Sequence, residues 1–123
     1  MSSGTLFVYG TLRRGCANPH ARLLDRSARF LGTARVQGRL YRVKWYPGIR
    51  LNTEDNWVVG DLFQVRDPVT LAELDRYEGS NEYQRVQTRA VLENGRQMRC
   101  WVYEYIGGVS EERRIVSGDW MSQ

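Results

Sequence analysis

The sequence predicts an α+β fold in which mostly antiparallel strands curl towards a small β-barrel carrying two short helices. Three observations point there. Apolar and β-branched runs of strand length recur along the chain, strongest at Thr5-Leu6-Phe7-Val8-Tyr9 and over Trp57–Val65. Two stretches read as helices, one after Asn18-Pro19 and one after Asp67-Pro68. Strands and helices do not alternate regularly, which argues against a doubly wound parallel sheet.

Taken in order, Thr5–Tyr9 reads as a buried strand ending at Gly10, followed by a loop over Thr11–Gly15. Asn18 caps the first helix and Pro19 opens it, with Leu23 and Leu24 on its inner face. Phe30–Val43 reads as extended, with Gly32 and Gly38 as bulges or bends. Pro47-Gly48 marks a turn, and Trp57–Val65 is the next strand. Asp67 and Pro68 start the clearest helix; Leu71, Leu74 and Tyr77 recur every three residues to form its buried stripe, and Gly79 stops it. Tyr83–Leu92 and Arg96–Tyr105 are strands joined at Asn94-Gly95, a two-residue hairpin signal.

A chain of 123 residues fits one domain, 1–123, with no repeat, linker or low-complexity tract. At this size folding buries roughly two-thirds of the extended chain's surface, so the core needs no disulfide or metal staple. Cys16 and Cys100 are the two cysteines and His20 the one histidine, which leaves a thiol or imidazole metal site short of ligands and predicts none. No apolar run reaches the roughly 20 residues of a membrane span, and no basic-then-apolar leader opens the chain. The expected setting is the cytoplasm. The 18 basic residues, all but Lys44 arginine, outnumber 14 acidic ones. They are dispersed among carboxylates, whereas a phosphate-tracking surface is usually a clustered stripe, so no nucleic-acid partner is expected.

Two segments are candidates for chemistry. Tyr9-Gly10-Thr11-Leu12-Arg13-Arg14-Gly15 places glycines five apart directly after a strand, a turn able to aim successive backbone N–H groups at an anion. It is neither a phosphate-binding Gly-Lys-Ser/Thr loop nor a dinucleotide fingerprint, and a plain strand-to-loop connection has the same composition. Glu78 falls in the last turn of the second helix, where the dipole favours a cation and no neutralising neighbour is evident. Its pKa is therefore expected to rise towards values useful for moving a proton near neutrality, although a solvated helix end would carry a glutamate equally well. His20 reads as a helix-surface residue, Cys16 as an idle loop thiol and Cys100 as core. Tyr41, Trp45, Tyr46, Trp57, Tyr103 and Tyr105 read as core and pocket wall.

Together these segments resemble the gamma-glutamylcyclotransferase-like (AIG2-like) family. Tyr9-Gly10-Thr11-Leu12…Gly15 is similar to its YGTL/YGSL loop. Leu74-Asp75-Arg76-Tyr77-Glu78-Gly79 with Tyr83-Gln84-Arg85 is similar to its LDxYEG…YxR segment. Gly38-Arg39-Leu40-Tyr41, Pro47-Gly48, Val59-Gly60-Asp61-Leu62 and Ser117-Gly118-Asp119-Trp120 follow in the family's order. Asn18, His20 and Leu24 are similar to the gamma-glutamylamine cyclotransferases and their small bacterial relatives. The resemblance implies a small mixed β-barrel, and a reaction in which the substrate's α-amine attacks its own γ-amide, releasing 5-oxoproline and a free amine. It implies Glu78 as general acid/base, substrate binding by Tyr9, Gly10, Thr11, Leu12 and Tyr83, a small γ-glutamyl amide or peptide as partner, and no cofactor. Arg85, in the YxR segment, either binds substrate or, the preferred reading, ties the sheet to the helix end. The Glu78–Tyr83 spacer is shorter than in glutathione-pathway members. A non-catalytic barrel binding an anionic metabolite or RNA is the alternative.

Overall fold

In the computed structural model, residues 4–52, 54–78 and 82–122 are described. The strands are β1 (Thr5–Val8), β2 (Ala28–Arg42), β3 (Pro47–Leu51), β4 (Trp57–Val65), β5 (Tyr83–Leu92), β6 (Gln97–Tyr105) and β7 (Arg114–Ile115). Two helices, α1 (Pro19–Ser27) and α2 (Pro68–Glu78), interrupt them. The strands β1, β4, β2, β5 and β6 form a closed mixed ring. Its closure is the parallel pairing of Leu6 with Trp101. Closure leaves these strands no free edge.

The length of β2 explains how one strand serves both ends of the ring. Its first ten residues pair with β4, its last five with β3, and Ala34–Val36 with β5 as well. A register shift between Phe30 and Gly32 marks the bulge expected at Gly32. Gly38 lies in regular pairing with Leu51 and is no bulge. Pro47 and Gly48 do not form the turn expected of them. They open β3 opposite Arg42 and Tyr41, and the chain reverses just before, where the Val43 amide donates to the Tyr46 carbonyl. Proline is tolerated there because the first residue of a strand can lack a ladder donor.

The hairpin at Asn94-Gly95 also differs. Leu92 N–H donates to the Arg96 carbonyl, so the loop holds three residues, with Gly95 at φ +88°. That is a type I turn followed by a left-handed glycine, the common three-residue hairpin.

The core has two layers on either side of β1. Phe7 and Tyr9 point into the ring with Val36, Leu40, Ile49, Val58, Leu62 and Val102. Leu6 and Val8 point outwards beneath the helices, against Leu24, Phe63, Leu71 and Leu74. A strand buried on both faces needs a continuous apolar run, which Leu6–Tyr9 supplies. Both helices begin as expected: the Asn18 side chain accepts from Ala21 N–H, and Asp67 accepts from Val69 N–H. Fully burying Leu24 and Leu74 stabilises the docking of each helix by about 1.5–3 kcal/mol. The last described residue of α2 is Glu78, so the expected stop at Gly79 lies outside the described residues.

Candidate active site

The end of β1 and the end of α2 open on one cavity of about 200 Å³. Tyr9, Gly10, Thr11, Leu12, Glu78 and Tyr83 all line it, so residues distant in sequence meet there. Trp45, Tyr46, Pro47, Tyr77, Glu82 and Tyr103 complete most of the remaining wall.

The loop after β1 is held from outside the cavity. The Arg13 amide donates to the Gly10 carbonyl, closing a four-residue turn whose central residues are Thr11 and Leu12. Neither central amide has an acceptor in such a turn, and none is supplied by the other described residues. Asp61, 5% exposed on β4, accepts from the Arg14 amide at 2.8 Å and from Arg13 Nε and Nη2 at 3.3 Å. Arg13 Nη1 reaches Asp119 near the chain's end, and the Arg14 guanidinium lies over the Phe30 ring. Asn18 Nδ2 donates to the Thr11 carbonyl at 2.6 Å. The arginines thus clamp the loop and do not line the cavity, whereas Thr11 and Leu12 of the turn do.

Gly10 is required by a close approach and not by a positive φ. A Cβ built there would sit 2.6 Å from Pro47 Cγ. Pro47 is fixed in turn by the Tyr83 hydroxyl, which donates to its carbonyl at 2.6 Å. Tyr83 therefore lines the cavity with its hydroxyl proton already committed to that carbonyl. Tyr9 is similarly occupied: its hydroxyl donates to the Tyr103 carbonyl and accepts from the Ile49 amide. Burial pushes both phenols well above their usual range, which keeps them neutral.

Glu78 is half-buried on the opposite element, and its pKa is pushed up to about 7. Burial is the main cause and the negative charge of Glu82 the second. The rise anticipated from the helix dipole is present, but its source is desolvation and a like charge. One turn earlier, Asp75 accepts from Arg85 Nε and Nη2 at 2.9 and 3.2 Å and from the Tyr103 hydroxyl at 2.7 Å. This ties the end of α2 to β5 and β6. Arg85 has the tying role expected of it, with its guanidinium also over Trp101. His20 stacks on Tyr77 and contacts Glu73, joining the two helices. Cys16 is half-buried, and burial pushes its thiol up, away from a reactive thiolate.

Trp45, Tyr46 and Tyr103, read from the sequence as core and pocket wall, do stand on the wall, whereas Glu82 was not legible as a site residue. Glu82 accepts from the Tyr46 hydroxyl at 2.8 Å, and Trp45 packs edge-on to Tyr46. Trp45 is 69% exposed and lines the cavity, so it belongs to the pocket wall and not to the core. The available signal for Glu82 was a second glutamate four residues after Glu78. Among the described residues, no group of three or more His, Cys, Asp or Glu is arranged to hold a metal. None of the helices described is long and apolar enough to cross a membrane.

The site thus offers a carboxyl group that titrates near neutral pH, two turn amides with no acceptor among the described residues, and a largely aromatic wall that also carries Glu82. Comparison with known proteins gives this arrangement its context. The family model "Gamma-glutamyl cyclotransferase, AIG2-like" matches residues 6–122. The chain belongs to this family. It is 32% identical over 109 residues to "Putative gamma-glutamylcyclotransferase CG2811" of Drosophila melanogaster, covering 80% of this chain and 67% of the fly protein. It is 31% identical over 116 residues to "Putative gamma-glutamylcyclotransferase YkqA" of Bacillus subtilis (strain 168), covering 94% of this chain. The chain spans only 40% of that protein's length. Among solved structures, an AIG2-like protein of Mus musculus superposes with a TM-score of 0.70 at 28% identity, over 89% of this chain and 81% of the mouse protein. The AIG2-like fold, a closed mixed barrel with two helices, is therefore the fold of this chain.

Proposed function

We propose that the chain is a gamma-glutamyl cyclotransferase in which Glu78 carries the protons and the Thr11 and Leu12 amides hold the substrate. The observation that carries this reading is the meeting, in one cavity, of a carboxyl group with its pKa near 7 and the Thr11–Leu12 turn, whose amides have no acceptor among the described residues. The substrate is a γ-glutamyl amide or peptide, and the products are 5-oxoproline and the freed amine.

In this scheme the ionised Glu78 takes a proton from the substrate's α-ammonium. The freed lone pair forms a C–N bond to the γ-carbonyl carbon, the old amide C–N bond breaks, and the departing nitrogen receives its protons through Glu78. Two protons move from the ring nitrogen to the leaving amine, and Glu78 ends as it began. Because nucleophile and electrophile belong to one molecule, positioning can supply on the order of 7–11 kcal/mol of the barrier. No enzyme nucleophile is needed. A carboxyl group with its pKa near 7 suits both steps, since it accepts and returns a proton at little cost at neutral pH.

The test is direct. The protein is incubated with γ-glutamyl amines, γ-glutamyl amino acids and glutathione, and 5-oxoproline release is followed by chromatography. Release from at least one class, reduced about 10²–10⁴-fold in Glu78→Gln, is expected. Release from none, or undiminished turnover in the variant, overturns the proposal.

A further inference from the structure

The charges on the cavity wall bear on which amine is released. Among the described residues lining it, the charged ones are Glu78 and Glu82, and both are acidic. The arginines nearest in sequence to the loop are occupied elsewhere: Arg13 by Asp61 and Asp119, Arg14 over Phe30. With the glutamyl half placed at the amides and at Glu78, the amine half must leave towards the open side of the cavity. There stand Trp45, mostly exposed, and Glu82, held by the Tyr46 hydroxyl.

We infer that Trp45 and the Tyr46–Glu82 pair form a subsite for a leaving amine that carries a second positive charge and no carboxylate. An exposed indole at a cavity mouth offers an apolar shelf for a methylene chain and a π face for a cation. Glu82 offers the opposite charge, and its bond to Tyr46 fixes where that charge sits. A leaving group ending in a carboxylate, such as an amino acid, would face two like charges with no cation among the described residues of the wall to offset them. The inference rests on the proposed function, because it assumes the glutamyl half occupies the inner cavity.

Three matched substrates test it: the γ-glutamyl amides of 1,4-diaminobutane, pentylamine and 5-aminopentanoate. All have a four-methylene chain on the amide nitrogen, ending in an ammonium, a methyl and a carboxylate respectively. The expected kcat/KM is about ten-fold higher for the ammonium than for the methyl compound, and lower again for the carboxylate. In Glu82→Gln the ammonium and methyl compounds should converge to within about two-fold. Any change this variant makes at Glu78 affects all three substrates alike and cancels from the ratio. Equal rates in the wild type, or a charge preference that survives Glu82→Gln, overturns the subsite while leaving the cyclotransferase reading intact. If none of these compounds and no other γ-glutamyl compound is cyclised, that reading fails, and the subsite is judged by binding. The indole NMR signal of Trp45, identified by its loss in Trp45→Phe, should then move at lower concentrations of 1,4-diaminobutane than of pentylamine. No such difference overturns the subsite as well.

Discussion

At Glu78, a wall position in the cavity sets stability and chemistry against each other. Its carboxyl is pushed from an ordinary value near 4.5 to about 7, so the folded protein holds a proton that the unfolded chain releases between those pH values. A raised carboxyl pKa contributes fully below the unfolded value and is lost as pH rises through the folded one. Above pH 7 the wild type therefore bears the cost of an ionised, desolvated carboxylate. With each pKa unit worth ~1.4 kcal/mol and a discount for partial exposure, that cost is about 1–3 kcal/mol. Glu78→Gln should thus be more stable than wild type at pH 8, with the difference vanishing below about pH 4.5, as read by urea denaturation at both pH values. An equal midpoint at pH 8 would mean that Glu78 is not desolvated in the folded protein.

Gly10 makes a second residue-scale case. An added Cβ would press on Pro47, which the Tyr83 hydroxyl holds in place. Gly10→Ala should destabilise by about 1–3 kcal/mol and raise KM at least ten-fold, because the turn that presents the Thr11 and Leu12 amides must shift. Arg14→Ala keeps the backbone bond to Asp61 and loses only the contact over Phe30, so its KM should change less than three-fold. Steady-state kinetics on a confirmed substrate compares the two. A larger effect from Arg14→Ala would place the anion contact in the guanidinium.

Among the elements, α2 carries the carboxyl and is anchored by a network one turn away from it. Asp75 receives three hydrogen bonds from Arg85 and Tyr103, and these fix where the helix ends. Asp75→Ala should lower kcat more than it raises KM, and cost about 1–3 kcal/mol by leaving a partly buried guanidinium and phenol unpaired. The neighbouring Arg76→Ala breaks only an exposed pair with Glu73, screened by solvent, and should leave the unfolding midpoint nearly unchanged. Thermal unfolding and kinetics of both variants check the contrast. Similar losses in both would mean that the network does not position the helix end.

The elements were mostly legible in the sequence. Caps at Asn18 and Asp67, the strand periodicity and the two-sided burial of β1 are local signals that tertiary structure preserves. Pro47-Gly48 misled because its local turn chemistry gave way to pairing with β2, a contact more than local pattern can show. The expected two-residue hairpin at Asn94-Gly95 became three because Gly95 alone takes the left-handed conformation. In the site, Glu78 and the Gly10 turn stood out by their chemistry. Trp45 and Tyr46 were legible as core or pocket wall by their aromatic character, but Glu82 was not, because its place depends on which side of the cavity the chain brings it to.

Over the whole molecule, barrel closure brings the end of β1, the end of α2 and the segment before β3 around one space. The chain carries a formal charge of +4, yet the charged side chains described on that cavity's wall are acidic. Arginines dispersed over the molecule are in many cases spent on carboxylates: Arg13 on Asp61, Arg39 on Glu54, Arg85 on Asp75. Net charge is therefore a poor guide to what the site accepts, and the local field is what bears on the proton chemistry. Among the tyrosines of the wall, Tyr46 is pushed up to about 12, and Tyr9, Tyr83 and Tyr103 are also raised. None of these phenols titrates near neutrality, whereas Glu78 does.

The pH dependence of kcat/KM for 5-oxoproline release tests the central claim most directly. In the proposed mechanism Glu78 acts ionised on a substrate whose α-amine is protonated, so the rate should rise through an inflection near pH 7 and fall once that amine loses its proton. The inflection should move down in Glu82→Gln, where a like charge is removed, and should be absent from the residual rate of Glu78→Gln. A rising limb near pH 4.5 in the wild type, or one near 7 that persists in Glu78→Gln, would contradict the assignment of Glu78 as the proton carrier.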